Sequence, residues 1–186
     1  MARRSRLLSP QVLDEALRQV VEASSTPPVA VGGYAMQHYG SDRLTSDLDV
    51  IVQEDLPFPV LLSLTFGGVT VEVGGVPVDL IRRSDHYEDL YDAAVAAAVP
   101  VPGVDGAAMA SPEHMVALKL AAGPREAKVL PDLWHLLSTP GLVDYDAARE
   151  LVRTFMGEYG ADVLDGLREE ALWRRDRGDP KRRPRK

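Results

Sequence analysis

The chain contains no cysteine. That absence removes disulfide bridges, thiolate metal ligands and cysteine nucleophiles together, and it fits a reducing compartment. No long apolar run is present either: the least polar stretch, residues 93–102, is rich in Ala and Val and ends in Pro. It falls far short of the roughly 20 residues of a membrane-spanning helix. After Arg3, Arg4 and Arg6, the apolar pair Leu7 and Leu8 meets Ser9 and Pro10 at once, too short a stretch for a secretory signal. The cytoplasm is the expected location. The four histidines, His38, His86, His114 and His135, are scattered and make no zinc spacing. No Walker glycine–lysine loop and no serine-hydrolase signature occurs.

What is present describes one globular unit. At 186 residues a chain can bury about 70% of its unfolded surface without a staple. Hydrophobic residues make up 45% and charged residues 26%, which argues against disorder, collagen and membrane classes alike. The net charge of −7 conceals an asymmetry. From Arg174 onward there are eight basic and two acidic residues, whereas the body from Leu7 to Trp173 holds ten basic and 26 acidic ones, a balance of −16. Such a body repels phosphate backbones, so nucleic-acid contact would fall to local basic patches such as the 174–186 tail. A Pro- and Arg-rich end is otherwise expected to be solvated and disordered.

Along the chain, Ser9 and Pro10 ahead of Val12, Leu13, Leu17, Val20 and Val21 predict a helix ending near Ala23 to Ser25. Val29, Ala30 and Val31 form a short strand candidate that runs into Gly32 and Gly33, with a helix over Tyr34 to Tyr39 after them. Leu48 to Val52 opens on acidic residues and lacks alternation, the pattern of a central strand covered on both faces. Residues 69–73 and 76–81 flank Gly74 and Gly75, a hairpin signal, with Pro77 placed near a strand start. From about Ser84 the pattern turns mostly helical, with starts at Ser111–Pro112 and Pro131–Asp132 and two further helices over 144–159 and 162–173. The expected organisation is an α/β core over residues 1–83, a helical C-terminal half of the same unit over 84–173, and the tail over 174–186.

The chemistry concentrates in the Thr45-Ser46-Asp47-Leu48-Asp49 segment. Strand residues i and i+2 share a face, so Asp47 and Asp49 can close on one cation. Oxygen-only ligation suits Mg²⁺ or Mn²⁺, which keep positions for water and substrate phosphates. Asp79, alone in the apolar run 78–81, is a candidate third carboxylate; an exposed edge-strand Asp explains it equally. Three aspartates on two strands are what a two-cation clamp on a nucleoside triphosphate (NTP) requires. Gly32 and Gly33, between strand and helix, would admit phosphate oxygens close to the backbone, and a plain turn is compatible with that. Arg43 is placed to bind phosphate or to pair with Asp42, Asp47 or Asp49, and Thr45 to support the loop. Lys119, between Leu118 and Leu120, has a solvated helix face as its default, and Asp132 suits a first helical turn.

The run Gly32-Gly33-Tyr34-Ala35, Gly40, Arg43, Thr45, Asp47-Leu48-Asp49, with Asp79 thirty residues on, resembles the signature of the polymerase-β-like nucleotidyltransferase superfamily. More narrowly it resembles the AbiEii-like branch, which includes toxin nucleotidyltransferases of toxin–antitoxin systems and MenT-like enzymes acting on the tRNA acceptor end. The resemblance covers roughly Val29 to Leu137. It implies an α+β nucleotidyltransferase fold, with a small mixed β-sheet flanked by helices and a C-terminal helical half. It implies Asp47, Asp49 and Asp79 as metal ligands and catalytic carboxylates. Gly32, Gly33, Arg43, Thr45, Lys119 and Asp132 would act on the nucleotide. Leu118, Lys119, Leu120, Arg125 and Asp132 match the branch downstream, while Val129 stands where its members often carry Asp. The implied activity is Mg²⁺- or Mn²⁺-dependent transfer of a nucleoside monophosphate from an NTP, ATP among them, to a hydroxyl on tRNA, protein or a small molecule, with an antitoxin as a further partner. An inactive nucleotidyltransferase-fold binding or regulatory module is the alternative, and nucleic-acid binding through the tail is a third reading.

Overall fold

The computed structural model describes residues 7–123 and 128–177. Arg3, Arg4, Arg6, Arg125 and residues 178–186 of the expected tail lie outside them. Two compact units result, one running to Ser111 and one starting at Pro112.

The N-terminal unit begins with α1 (Pro10–Ala23), where Ser9 is extended and Pro10 occupies the first turn, a position whose N–H has no helical partner in any case. Strand β1 (Val29–Val31) leads without a gap into α2 (Gly32–His38). Then follow β2 (Leu48–Ile51), β3 (Val60–Ser63), β4 (Gly68–Val73), β5 (Val76–Ile81), α3 (Glu88–Ala96) and the two short strands β6 (Val99–Pro100) and β7 (Ala108–Met109). Among the described residues they form one mixed sheet in the order β3-β4-β5-β2-β1-β7-β6. Strands β2 and β5 run parallel, as do β1 and β7, and the other pairs are antiparallel. The expected α+β architecture is what the chain adopts, and β2 is its central strand.

Alternation along the strands separates two faces. One carries Leu48 and Val50 of β2, Val78 and Leu80 of β5, Val71 and Val73 of β4 and Ala30 of β1, all buried. Helix α1 packs on β2, β4 and β5, where its stripe of Leu13, Ala16, Leu17 and Val20 is fully buried. Leu13, Leu17 and Val20 each contribute about 1.5–3 kcal/mol when removed from water. The other face carries Thr70, Glu72, Asp79 and Asp49 among Ile51, Ile81, Val29 and Val31. A polar residue in this register is therefore turned away from α1 as a matter of parity.

Two differences from expectation concern the stretch after residue 84. Beyond α3 the chain returns to the sheet through β6 and β7, so the α/β part extends to Ser111 instead of residue 83. Both strands are two residues long, below the length at which alternation is visible. Strand β3, residues 60–63, also went unmarked in the sequence. It is one of the two edge strands of the described sheet, exposed at every position, and so has no buried face to impose a pattern.

The C-terminal unit is helical: α4 (Pro112–Ala122), α5 (Val129–Ser138) and α6 (Tyr145–Asp176). Helix α4 buries residues on all sides, including His114, whose imidazole is pushed below its ordinary value by burial. Val129, where the resemblance would have Asp, is a buried apolar residue of this unit. Asp144 caps α6 by accepting from the Ala147 N–H. Within α6, Gly157 has φ 73° and ψ −176°. Tyr145 donates to Asp165 twenty residues on, although in a straight helix such a separation spans about 30 Å. Arg149 also pairs with Asp165 at 3.0 Å, and the two lie equally far from Gly157 in sequence. Gly157 thus folds the second arm back along the first, making two helices where two were expected. The second continues through Asp176, so residues 174–176 belong to it and not to a tail.

Nothing lies within 4 Å of a Cβ built on Gly157, so the demand at this position is conformational alone. Gly157→Ala is expected to lower unfolding free energy by about 1–3 kcal/mol, the cost of placing an L-residue at positive φ with extended ψ, a region essentially confined to glycine. Urea denaturation of the two proteins measures the difference.

Candidate functional site

The polar face of the sheet gathers most of the expected site residues at one end. In the parallel β2–β5 pairing Asp49 is the register partner of Asp79, so their Cα atoms stand about 4.8 Å apart on neighbouring strands with side chains on the same face. The lateral row continues to Thr70 on β4 and to Val31 on β1. Asp79 therefore sits on an interior strand, between β4 and β2, and the edge-strand explanation for it falls away. Asp47 lies in the bend just before β2.

Two threonines hold two of these carboxylates. Thr45, 3% exposed, donates its hydroxyl to Asp47 Oδ1 at 2.5 Å. Thr70 donates to Asp79 Oδ1 at 2.6 Å. Thr45 is tied to Asp47 by that bond, and its carbonyl accepts from the Leu8 N–H at 2.9 Å. Thr70 was not singled out in the sequence. Counting outward from the two-glycine turn of the hairpin pairs it with Asp79, so its signal was the hairpin register.

The glycine pair closes the arrangement from the β1 side. Gly32 has φ +62°, and a Cβ there would come within 1.8 Å of Asp49 Oδ2. A Cβ on Gly33 would fall 2.7 Å from Thr45 Cβ and Oγ1. Both glycines are required because the start of α2 is pressed against the residues that carry or support the carboxylates. Arg43 is half-buried close by in sequence. Its N–H donates to Ser41 Oγ at 3.3 Å and its carbonyl accepts from Gln37 Nε2 at 3.2 Å, which fixes the main chain of the loop.

Lys119 and Asp132 belong to the C-terminal unit and are brought to each other. Lys119 Nζ lies 2.7 Å from Asp132 Oδ2, with side chains only 13% and 2% exposed. The solvated helix face expected for Lys119 is replaced by a buried ion pair joining α4 to α5. Asp132 falls in the first turn of α5, which starts at Val129, two residues ahead of the expected Pro131. The sequence offered each residue separately and no spacing linked them.

Among the described residues no group of three or more His, Cys, Asp or Glu side chains is arranged as a ready-made metal cage. The carboxylate oxygens of the Asp49–Asp79 pair, with Asp47 at its border, suit a hard cation that completes its shell with water and substrate phosphate, the habit of Mg²⁺.

Three variants check the geometry. Gly32→Ala is expected to lower stability by about 1–2 kcal/mol through its positive φ and to displace the Asp49 carboxylate, which a crystal structure of the variant would show. Lys119→Met should cost up to about 3–5 kcal/mol by breaking the buried ion pair, whereas the double change Lys119→Met with Asp132→Leu should recover most of that loss. Thermal or chemical denaturation of the three variants reads the difference.

No family model matches the chain, and no curated protein matches it. Among solved structures it is similar to an antigenic nucleotidyltransferase-like protein from Paracoccidioides brasiliensis, at 15% identity and a TM-score of 0.45, over 86% of this chain and 91% of that one. A likeness of that degree leaves the family open, and the architecture stands on the strand order and register above.

Proposed function

We propose that the N-terminal unit is the catalytic core of a metal-dependent nucleotidyltransferase. The observation that carries this reading is the in-register pair Asp49 and Asp79, held against Gly32 on one side and Thr70 on the other. Side-by-side carboxylates on adjacent strands repel one another, and a sheet that enforces their proximity gains from a divalent cation between them. When bound, the cation would neutralise triphosphate charge and favour the ionised acceptor hydroxyl.

Asp49 and Asp79 would hold the cation, with Asp47 beside them. The threonines, each donating to one oxygen of Asp47 or Asp79, orient those carboxylates and so limit the reorganisation required on binding. In the transfer itself the acceptor oxygen bonds to the α-phosphorus while the bond to the bridging oxygen breaks, and pyrophosphate leaves. Asp79 takes the proton of the acceptor hydroxyl. Chemistry of this kind consists mainly of positioning and charge neutralisation, which is why the residues at issue are carboxylates and their supports.

The experiment is label transfer from each of the four NTPs with Mg²⁺, offering total RNA, a protein lysate and hydroxylated small molecules such as aminoglycosides as acceptors. Wild type is expected to transfer label to one of them, and Asp49→Asn to lose at least about a thousandfold in rate while staying folded. Equal absence of transfer by both proteins across all nucleotides and acceptors overturns the reading. Metal and nucleotide binding without transfer would replace it with a binding module.

A further inference from the structure

The described sheet ends differently on its two sides. At one edge β6 is two residues long and contains Pro100, which has no N–H to offer a further strand. Shortness and proline are both devices that blunt an edge. At the other edge β3 contains neither proline nor charge. Its one irregularity is a register shift against β4 between Val60 and Leu62. Pairing with β4 uses one side of its backbone, and among the described residues no strand lies on the other. An open side of this kind is a template for one more strand.

The side chains of β3 point the same way. Val60, Leu61 and Leu62 are 58, 62 and 63% exposed, three consecutive large apolar residues in water. Single exposed apolar residues need no explanation, whereas a contiguous group on an open edge does.

Charge and closure choose the occupant. The body of the chain is strongly acidic, so two copies repel one another over most of their surface. No charged residue occurs from Leu56 to Val71, and Asp55, just before that run, is paired with Arg82 at 2.6 Å. An antiparallel copy centred on Leu61 sets leucine against leucine and Val60 against Leu62 on both sides of the axis, with no like charges opposed. The contact is isologous, using the same edge of both copies, and the blunt β6 edge offers no second site, so the assembly closes at two instead of growing into a filament.

We propose that β3 is a self-association edge, through which two copies of the chain pair antiparallel over residues 60–63 and join their sheets into one. Leu62 is the register partner of Thr70, and Thr70 that of Asp79. A two-fold axis normal to the sheet at Leu61 keeps the carboxylate pairs of both copies on one side of the joined sheet. The association needs neither cation nor nucleotide, so it goes beyond the catalytic reading and stands or falls separately from it.

Sedimentation equilibrium of the full chain from about 1 to about 500 µM tests it. Wild type is expected to pass from monomer to dimer and no further. Leu61→Lys and Leu62→Lys should each keep the fold, being at exposed positions, and raise the dimer dissociation constant at least about tenfold. Each removes apolar contact in both copies and places charge at a strand edge. Because the chain has no cysteine, a single introduced one reports the geometry. Leu61→Cys should link two copies by a disulfide in oxidising buffer, faster than the control Tyr159→Cys, which is 81% exposed on α6. The cysteine comparison also decides the case in which a lysine variant loses its fold. Wild type that stays monomeric throughout overturns the proposal and leaves the edge to a strand of a different protein. A dimer that both lysine variants leave intact, or a Leu61→Cys link no faster than the control, overturns it as well.

Discussion

Strand register is the constraint on which the rest of the N-terminal unit depends. A slip of one residue in β2 or β5 would turn Asp49 or Asp79 toward α1 and bring Leu48, Val50, Val78 or Leu80 to the polar face. The buried face forbids that slip, because those four side chains are 0–2% exposed and a carboxylate in their place would be desolvated without a partner. Hydrophobic burial on one side of the sheet therefore places charge on the other. Holding the two carboxylates close is unfavourable in itself, and that cost is carried by the apolar face, with hydroxyl donation from Thr45 and Thr70 easing the charge on Asp47 and Asp79.

The glycines act on the same arrangement from a different direction. A strand that passes into a helix at Gly32 could in principle do so at many distances from the neighbouring strand. The absent Cβ of Gly32 lets the turn settle directly against Asp49, and that of Gly33 lets it settle against Thr45. The carboxylate is consequently bordered by backbone instead of by a side chain that could swing aside. Positive φ and close approach coincide at Gly32, and either alone would favour glycine.

Much of this was legible in the sequence where local physics is strong. The first helix has a proline in its first turn and a single apolar stripe. The 69–81 hairpin has a two-glycine turn, and β2 passes from Asp49 into the apolar run Val50-Ile51-Val52. Each is governed by residues close in sequence, and each is present where it was read. What stayed hidden depends on partners distant in the chain. Strands β6 and β7 are too short to carry a pattern, and β3 has no buried face to impose one. Lys119 and Asp132 could be read only as two separate polar residues, since nothing along the chain says that α4 and α5 bring them together. The Asp47–Asp49 segment was visible because its spacing is local, whereas the pairing of Asp49 with Asp79 had to await the parallel register.

Gly157 gives the C-terminal unit a property that sequence length and packing do not describe. Space is open where a Cβ on it would lie, so side-chain volume has no bearing on the reversal, which depends only on which mirror-image half of conformational space the residue can enter. Stereochemistry at one α-carbon thus decides whether residues 145–176 form a single rod or a folded pair. The pairing of Arg149 and Tyr145 with Asp165 follows from that choice of hand.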